Sequence, residues 1–194
     1  MAVGKTGNNF FWAQASVEPK RQYKFIVMIP GLPGAGQYYA TKASRPGVKV
    51  GETPHKYLNH TFYYPGVAEW EPVTISFVDP GGTNDMTRGL YEALLNMGYV
   101  IPNDPNLVTQ RTITKADAAG TFDMIQIKTL ASRGTVTEAR ESNTETAESW
   151  WLQNAWPTDI KWGDLDYSGD GMVTLDVTFR YDWAVNTEGD KTPR

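Results

Sequence analysis

The sequence has no cysteine and only two histidines in 194 residues. The first absence excludes disulfide scaffolds, cysteine zinc sites and thiol nucleophiles, and it fits folding in a reducing cytoplasm. The second leaves little for Ser-His-Asp catalysis, and no Gly-x-Ser-x-Gly elbow is present. On a single strand, the separation of five between His55 and His60 puts them on opposite faces, so a shared metal is not expected. Long apolar runs are also missing. No stretch approaches the ~20 residues that span a membrane as a helix. The opening MAVGKTGNNFFWAQASVEPK lacks the apolar core of a secretion signal. The expectation is a soluble protein made in the cytoplasm. Without a secretion signal, the formal sequon Asn59-His60-Thr61 carries no meaning.

Positive charge thins out after residue 60. Residues 1–60 hold eight Lys/Arg against two Asp/Glu, and the remainder ten against twenty. An acidic majority argues against tight phosphate binding, which needs clustered cations. The two portions could attract each other between copies of the chain, though ordinary drift of surface charge explains the same numbers.

Aromatic residues make up 12%, with seven Trp and ten Tyr, and turn formers abound with 18 Gly and 12 Pro. This mixture favours a β-rich single domain over 1–194 with many turns. Residues 1–20 form an arm whose Phe10, Phe11 and Trp12 are too apolar for a solvated tail, so the arm should dock. Alternation predicts strands over Tyr23–Ile29 (ended by Pro30), Tyr38–Lys42, His55–Tyr64 (closed by a Pro65-Gly66 turn) and Trp70–Val78. Further strands are predicted over Val108–Lys115, Phe122–Leu130, Glu148–Trp156 (ended by Pro157) and Met172–Trp183. Met86, Leu90, Ala93, Leu94 and Met97 fall at helical spacing; Thr83 or Asn84 can cap this one helix, and Gly98 can end it. Residues 131–148 read as a long polar loop, and 186–194 as a polar tail.

Several stretches imitate chemical sites. GLPGAG (31–36) follows a strand, but β-prone Tyr38-Tyr39-Ala40-Thr41 comes next and offers no helix N-terminus to a phosphate, so a plain turn is expected. Asp164 to Asp170 resembles a calcium loop, yet Leu175 stands at the twelfth position, where a bidentate Glu is needed. A hairpin turn fits better. Carboxylate pairs are too numerous in the acidic portion to mark a glycosidase. Trp150, Trp151, Trp156 and Trp162 could stack sugars, as in a Trp-rich carbohydrate-binding sandwich, but packing in a core or interface is the plainer use. No cofactor, metal or catalytic residue is assigned.

Three stretches, in order and spacing, resemble the tail tube proteins of contractile-tailed, T-even-like phages. They are Arg21-Gln22-Tyr23-Lys24-Phe25-Ile26-Val27; Lys56-Tyr57-Leu58-Asn59-His60 with Tyr64-Pro65-Gly66 and Trp70-Glu71-Pro72-Val73-Thr74-Ile75; and Trp151-Leu152-Gln153-Asn154-Ala155-Trp156-Pro157-Thr158 followed by Gly163-Asp164-Leu165-Asp166-Tyr167-Ser168 and the last strand. The likeness spans 21–185 and departs over 99–149. It implies a mainly β fold, two packed antiparallel sheets in a barrel-like sandwich with one flanking helix. It implies a structural role rather than an enzyme: hexameric rings that stack into a tube within a contractile sheath, served by baseplate, tail-terminator and tape measure proteins. Viral DNA would pass through without specific binding. The protein would reside in the virion, after assembly in the host cytoplasm. Long alternating strands with one wet face suit such a barrel, and completion by neighbours would cover open edges. Glu71, Asp176 and Asp182 are then candidates for the lumen, where acidic groups would repel DNA. Phe10, Phe11, Trp12 and the 131–148 loop are candidates for ring-to-ring contacts. The ring protein of type VI secretion is the nearest rival.

Overall fold

Period-two runs of Val, Ile and Phe set the architecture, because each places a continuous apolar face on one side of a pleated strand. The computed structural model describes residues 20–32, 39–80, 82, 85–101, 112–131, 146–189 and 193. In chain order the elements are β1 (Phe25–Met28), β2 (Ala40–Ala43), β3 (Gly47–Tyr57), β4 (His60–Glu71), β5 (Val73–Val78), α1 (Met86–Asn96), α2 (Lys115–Phe122), β6 (Ile125–Leu130), β7 (Thr146–Gln153), β8 (Trp156–Lys161), β9 (Thr174–Arg180) and β10 (Trp183–Glu188). Two four-stranded antiparallel sheets, ordered β1-β6-β7-β10 and β2-β5-β9-β8, enclose the core, and β3 and β4 form a separate two-stranded hairpin. The mainly β, two-sheet expectation holds.

Val73, Ile75 and Phe77 of β5 lie opposite Phe179, Val177 and Leu175 of β9. All six are buried, together with Ile125, Ile127 and Leu152 of the first sheet and Phe122 of α2. Each such side chain contributes roughly 1.5–3 kcal/mol of burial. The rings of Phe122 and Phe179 meet edge-on at 5.7 Å. From α1, Met86, Leu90, Ala93 and Met97 enter the same cluster. The cap of α1 is Asp85 rather than Thr83 or Asn84: its Oδ1 accepts from the Arg88 N–H at 3.0 Å. Gly98, at φ +105°, turns the chain out of the helix as expected.

Several boundaries differ from the periodicity reading. A second helix, α2, stands where the predicted Val108–Lys115 strand runs out. Its first turns hold three alanines and Lys115, all good helix formers, and Thr114 caps them by accepting from the Asp117 N–H at 3.1 Å. Residues 108–111 of that strand lie outside the described residues, and 112–114 are not paired as strand. Pro157 does not end a strand; it sits inside β8, an outer strand where a missing N–H costs no ladder bond. The predicted Met172–Trp183 strand is two, β9 and β10, and the polar tail from 186 is still paired to β7 through Glu188.

The breaks near Pro157 and Trp183 have one cause. β7 and β8 run almost continuously, as do β9 and β10, forming one long ribbon bent at Asn154–Ala155 and Tyr181–Asp182. Below the bend the ribbon belongs to the first sheet, and above it to the second.

Candidate assembly surfaces

The hairpin is the most unusual element. Pro65-Gly66 does not close it. Tyr57 pairs directly with His60, so the turn is Leu58-Asn59, and Pro65 lies within β4 opposite Glu52. The ladder slips by one residue between Val50 and Glu52, and this bulge accommodates the proline. Moving the turn also moves the histidines. His55 pairs with Phe62, and Tyr57 with His60, so His55, Tyr57, His60, Phe62 and Tyr64 share one face. His60 and Phe62 meet edge-on at 4.7 Å, and His55 and Tyr64 at 6.5 Å. Nearly every hairpin residue is exposed, including Val48, Val50, Leu58, Tyr63 and Val67. Leu58 is 87% exposed and holds φ +50°, a conformation unfavourable for a branched side chain. The main contacts of β3 and β4 are with each other.

The hairpin root, by contrast, is fixed. Tyr181, buried at the ribbon bend, donates its hydroxyl hydrogen bond to the Glu71 carbonyl at 2.7 Å. Its ring lies 6.1 Å from that of Trp70. Burial pushes the Tyr181 phenol up to about 12. Next to it, Asp182 accepts from Asn154 Nδ2 and from Lys115 Nζ, both at 2.8 Å. Lys115, then Asn154, hold its carboxyl below the usual range. Asp182 therefore ties the two strands of the bend to the start of α2. The Glu71 side chain lies over Gly47, where a Cβ would come within 2.7 Å of its Oε2.

The second sheet turns a polar face outward. Lys42, Ser76, Asp176 and Lys161 stand in one row across its four strands. Ser76 donates to Asp176, the hydroxyls of Thr74 and Thr178 are 3.1 Å apart in the next row, and Asp159 lies 3.7 Å from Lys161. The three acidic lumen candidates are thus not brought together. Asp176 is central to this face among lysines, Glu71 is at the hairpin root, and Asp182 is at the bend. Among the described residues no strand pairs with the outer side of β2 or β8.

The ribbon ends in a loop over residues 162–173. Gly163, at φ +76°, allows the strands to approach: a Cβ there would lie 2.1 Å from the Thr174 carbonyl oxygen. Asp166 accepts from the Ser168 N–H at 2.9 Å and from its hydroxyl at 2.7 Å. Those bonds, the backbone one first, lower its carboxyl. This is a turn, as Asp, Ser and Gly composition suggests. Among the described residues no three metal-ligating side chains converge, and no helix is long and apolar enough to cross a membrane. Leu165, Tyr167 and Met172 project outward beside a shallow cavity of about 500 Å³. Trp151 is buried and Trp150 and Trp156 pack against the core, as the plainer reading has it, whereas Trp162 is exposed.

Phe10, Phe11 and Trp12 lie outside the described residues, as do 132–145 of the 131–148 loop and 33–36 of GLPGAG. The aromatic face of the hairpin was not evident from strand periodicity. The only local signal is Asn59, a turn former, between two stretches of β-prone residues.

No family model matches the chain, and no curated protein does. Solved structures do share its fold. A chain of the tube-terminating cap of the anti-feeding prophage is 20% identical, with 89% of this chain and 93% of that one covered and a TM-score of 0.58. A chain of the anti-feeding prophage baseplate is 12% identical, covering 90% and 99%, also with a TM-score of 0.58. A chain of the sheath/tube terminator of PVC, an extracellular contractile injection system, is 16% identical, covering 89% and 99%, with a TM-score of 0.55. What the chain shares with these particle proteins, at such identities, is the fold.

Proposed function

We propose that this chain is a structural subunit of a tail-type tube, in which copies close into rings and the rings stack. The observation that carries this reading is the hairpin. A lone two-stranded ribbon is marginal in water, and beyond its root this one presents apolar side chains that the rest of the described residues leave exposed. Half-covering the rings of Tyr57, Phe62 and Tyr64 removes about 75 Å² each from water, which at ~25 cal/mol/Å² yields ~6 kcal/mol. Association costs about 4–15 kcal/mol, so one hairpin contact roughly breaks even. A ring whose every member gives and receives a hairpin does better. The fold shared with cap, baseplate and terminator chains of contractile particles supports the same reading.

Within that assembly, the polar face of the second sheet forms the channel wall and the open edges of β2 and β8 meet those of neighbouring copies, six to a ring. Asp176 faces the channel, whereas Asp182 serves the bend and Glu71 the hairpin root. Lysines alternate with Asp176 and Asp159 across that wall, so a passing polymer meets no extended field of one sign. The finer reading is the tube of a contractile phage tail, conducting DNA inside a sheath, with the arm residues Phe10, Phe11 and Trp12 joining successive rings. Electron microscopy of the purified protein, alone and with a baseplate nucleus, tests the proposal. Rings or hollow tubes of uniform width are expected. A single-copy particle at every concentration, with and without the nucleus, overturns it.

A further inference from the structure

Opposite charge flanks the two outer strands of the second sheet. Residues 20–45, which run through β1 and β2, hold five Lys/Arg and no Asp/Glu. Residues 159–170, which end β8 and enter the following loop, hold four Asp and one Lys. β2 and β8 are the open edges of that sheet, with β5 and β9 between them. Around β2 the fold gathers the cations. A cleft of about 410 Å³ between β1 and β2 is lined by Arg21, Lys24, Lys42 and Arg45 and by no carboxylate. Beside it, Glu148 pairs with Lys20 and Arg45. Among the described residues Arg21 and Lys42 make no ion pair. At the other edge, Asp159 lies opposite Thr178 and Lys161 opposite Asp176, so both share the outward face of Lys42. Arg180 stands opposite Trp156, at the start of β8.

An open edge can pair with its own kind across a two-fold axis, or with the opposite edge of a neighbour. β2 against β2 brings Arg21, Lys42 and Arg45 toward the same groups, and β8 against β8 does so for Asp159 and Asp164. Like charges set opposite each other destabilise a strand pair. β2 against β8 joins opposite charges instead. Strand direction permits this pairing. Every neighbour in the sheet is antiparallel, so β2 and β8 run in opposite directions. Copies related by rotation about an axis along the strands therefore meet as an antiparallel pair.

We infer that charge selects the β8 edge of one copy for the β2 edge of the next and rejects both like-edge contacts. The inference rests on the tube reading and adds to it what makes the contact heterologous, the condition for a ring. Level rows would set Lys42 against Lys161, since the two stand in one row of the sheet. A closed barrel requires its strands to stagger. A slip of about two residues, as such a stagger brings, sets Lys42 against Asp159 in one direction and beside Asp164 in the other. Either slip replaces repulsion with attraction. Charge complementarity of this kind directs partner choice more than it adds affinity.

Two variants of the full chain test this. Arg21→Glu/Lys42→Glu/Arg45→Glu makes the β2 edge acidic, and Asp159→Lys/Asp164→Lys/Asp170→Lys makes the β8 edge basic. All six side chains are exposed, and circular dichroism confirms that each variant keeps the wild-type fold. Each variant alone has two edges of one sign, so sedimentation velocity should show assembly reduced at least tenfold. An equimolar mixture should recover it, because alternating copies restore opposite charge at every contact. The chain carrying all six changes should recover it as well. Variants that each assemble as the wild type does overturn the inference and leave the tube reading standing. Failure of both the mixture and the sixfold variant to recover also overturns it. Recovered association that never gives rings or tubes overturns the tube reading alone. A wild-type chain that stays a single copy at every concentration overturns both.

Discussion

Asn154, held at φ +53°, donates a 2.8 Å hydrogen bond to Asp182, and this contact pins the two strands of the long ribbon together where it passes from one sheet to the other. Lys115 meets the same carboxylate from the start of α2. Asn154→Ala removes the bond and leaves a Cβ residue in a left-handed conformation, at an expected cost of about 1–2 kcal/mol. Asp182→Ala costs about as much. The two changes share one contact, so a double-mutant cycle by chemical denaturation should return a coupling energy of ~1 kcal/mol. Strict additivity would show that the bend is held by something else.

The same carboxylate sets an acid response. Because Lys115 and Asn154 keep the folded-state value of Asp182 below the unfolded one, its contribution is present above about pH 4 and is lost as pH falls through the folded value. Asp182→Asn should therefore be less stable than the wild type at pH 6 and should lose less stability between pH 5 and 2.5. Parallel curves for the two proteins would contradict this.

Tyr181 gives the opposite, alkaline response. Its value is raised to about 12, so its contribution is intact below the unfolded value of about 10 and disappears as pH rises through the folded one. Tyr181→Phe leaves the Glu71 carbonyl without its donor and should cost ~1 kcal/mol at neutral pH, or about 2–4 °C in melting temperature. It should also remove one late-titrating phenol from the alkaline absorbance difference spectrum. An unchanged spectrum would show that the late phenol is another tyrosine.

Leu58→Gly separates stability from assembly. A residue free to adopt φ +50° should firm the hairpin turn by about 1 kcal/mol, while the loss of a fully presented leucine should weaken association. A variant that gains stability and assembles as well as the wild type would remove the exposed leucine from the contact.

Phe62→Ser with Tyr64→Ser probes the aromatic face more broadly. Both side chains are exposed, and surface changes usually stay within about 0.5 kcal/mol each, so the melting temperature of the single copy should hardly move. Sedimentation velocity should nevertheless show assembly reduced at least tenfold. Full assembly would exclude the face as a contact.

What the sequence made legible follows from where period two and burial coincide. β5 and β9 were visible because Val73, Ile75 and Phe77, and Leu175, Val177 and Phe179, bury one face and leave the other polar. α1 was visible for the equivalent reason at a period of 3.6. The hairpin boundaries were misread because both faces of β3 and β4 are exposed, so alternation carries no burial signal there. Pro65-Gly66 then looked like a stop, although a bulge absorbs it. α2 was missed because its eight residues are too short and too small to show a period. The bend at Asn154 and Asp182 was not visible: both predicted strands run through it, to Trp156 and Trp183, because the change of sheet leaves no break in composition there. Asp182 was read as a lumen candidate from its place on the polar face of an alternating strand, and only the fold shows that Asn154 and Lys115 meet it.

Hydrogen exchange over residues 47–71, compared between free and assembled protein, bears most directly on the claim that the hairpin is completed by another copy. In the free chain its amides should exchange within minutes, while those of β5 and β9 stay protected; in assembled rings or tubes the hairpin amides should slow by at least a hundredfold. A hairpin already protected in the single copy, or one that exchanges equally fast after assembly, would contradict the claim.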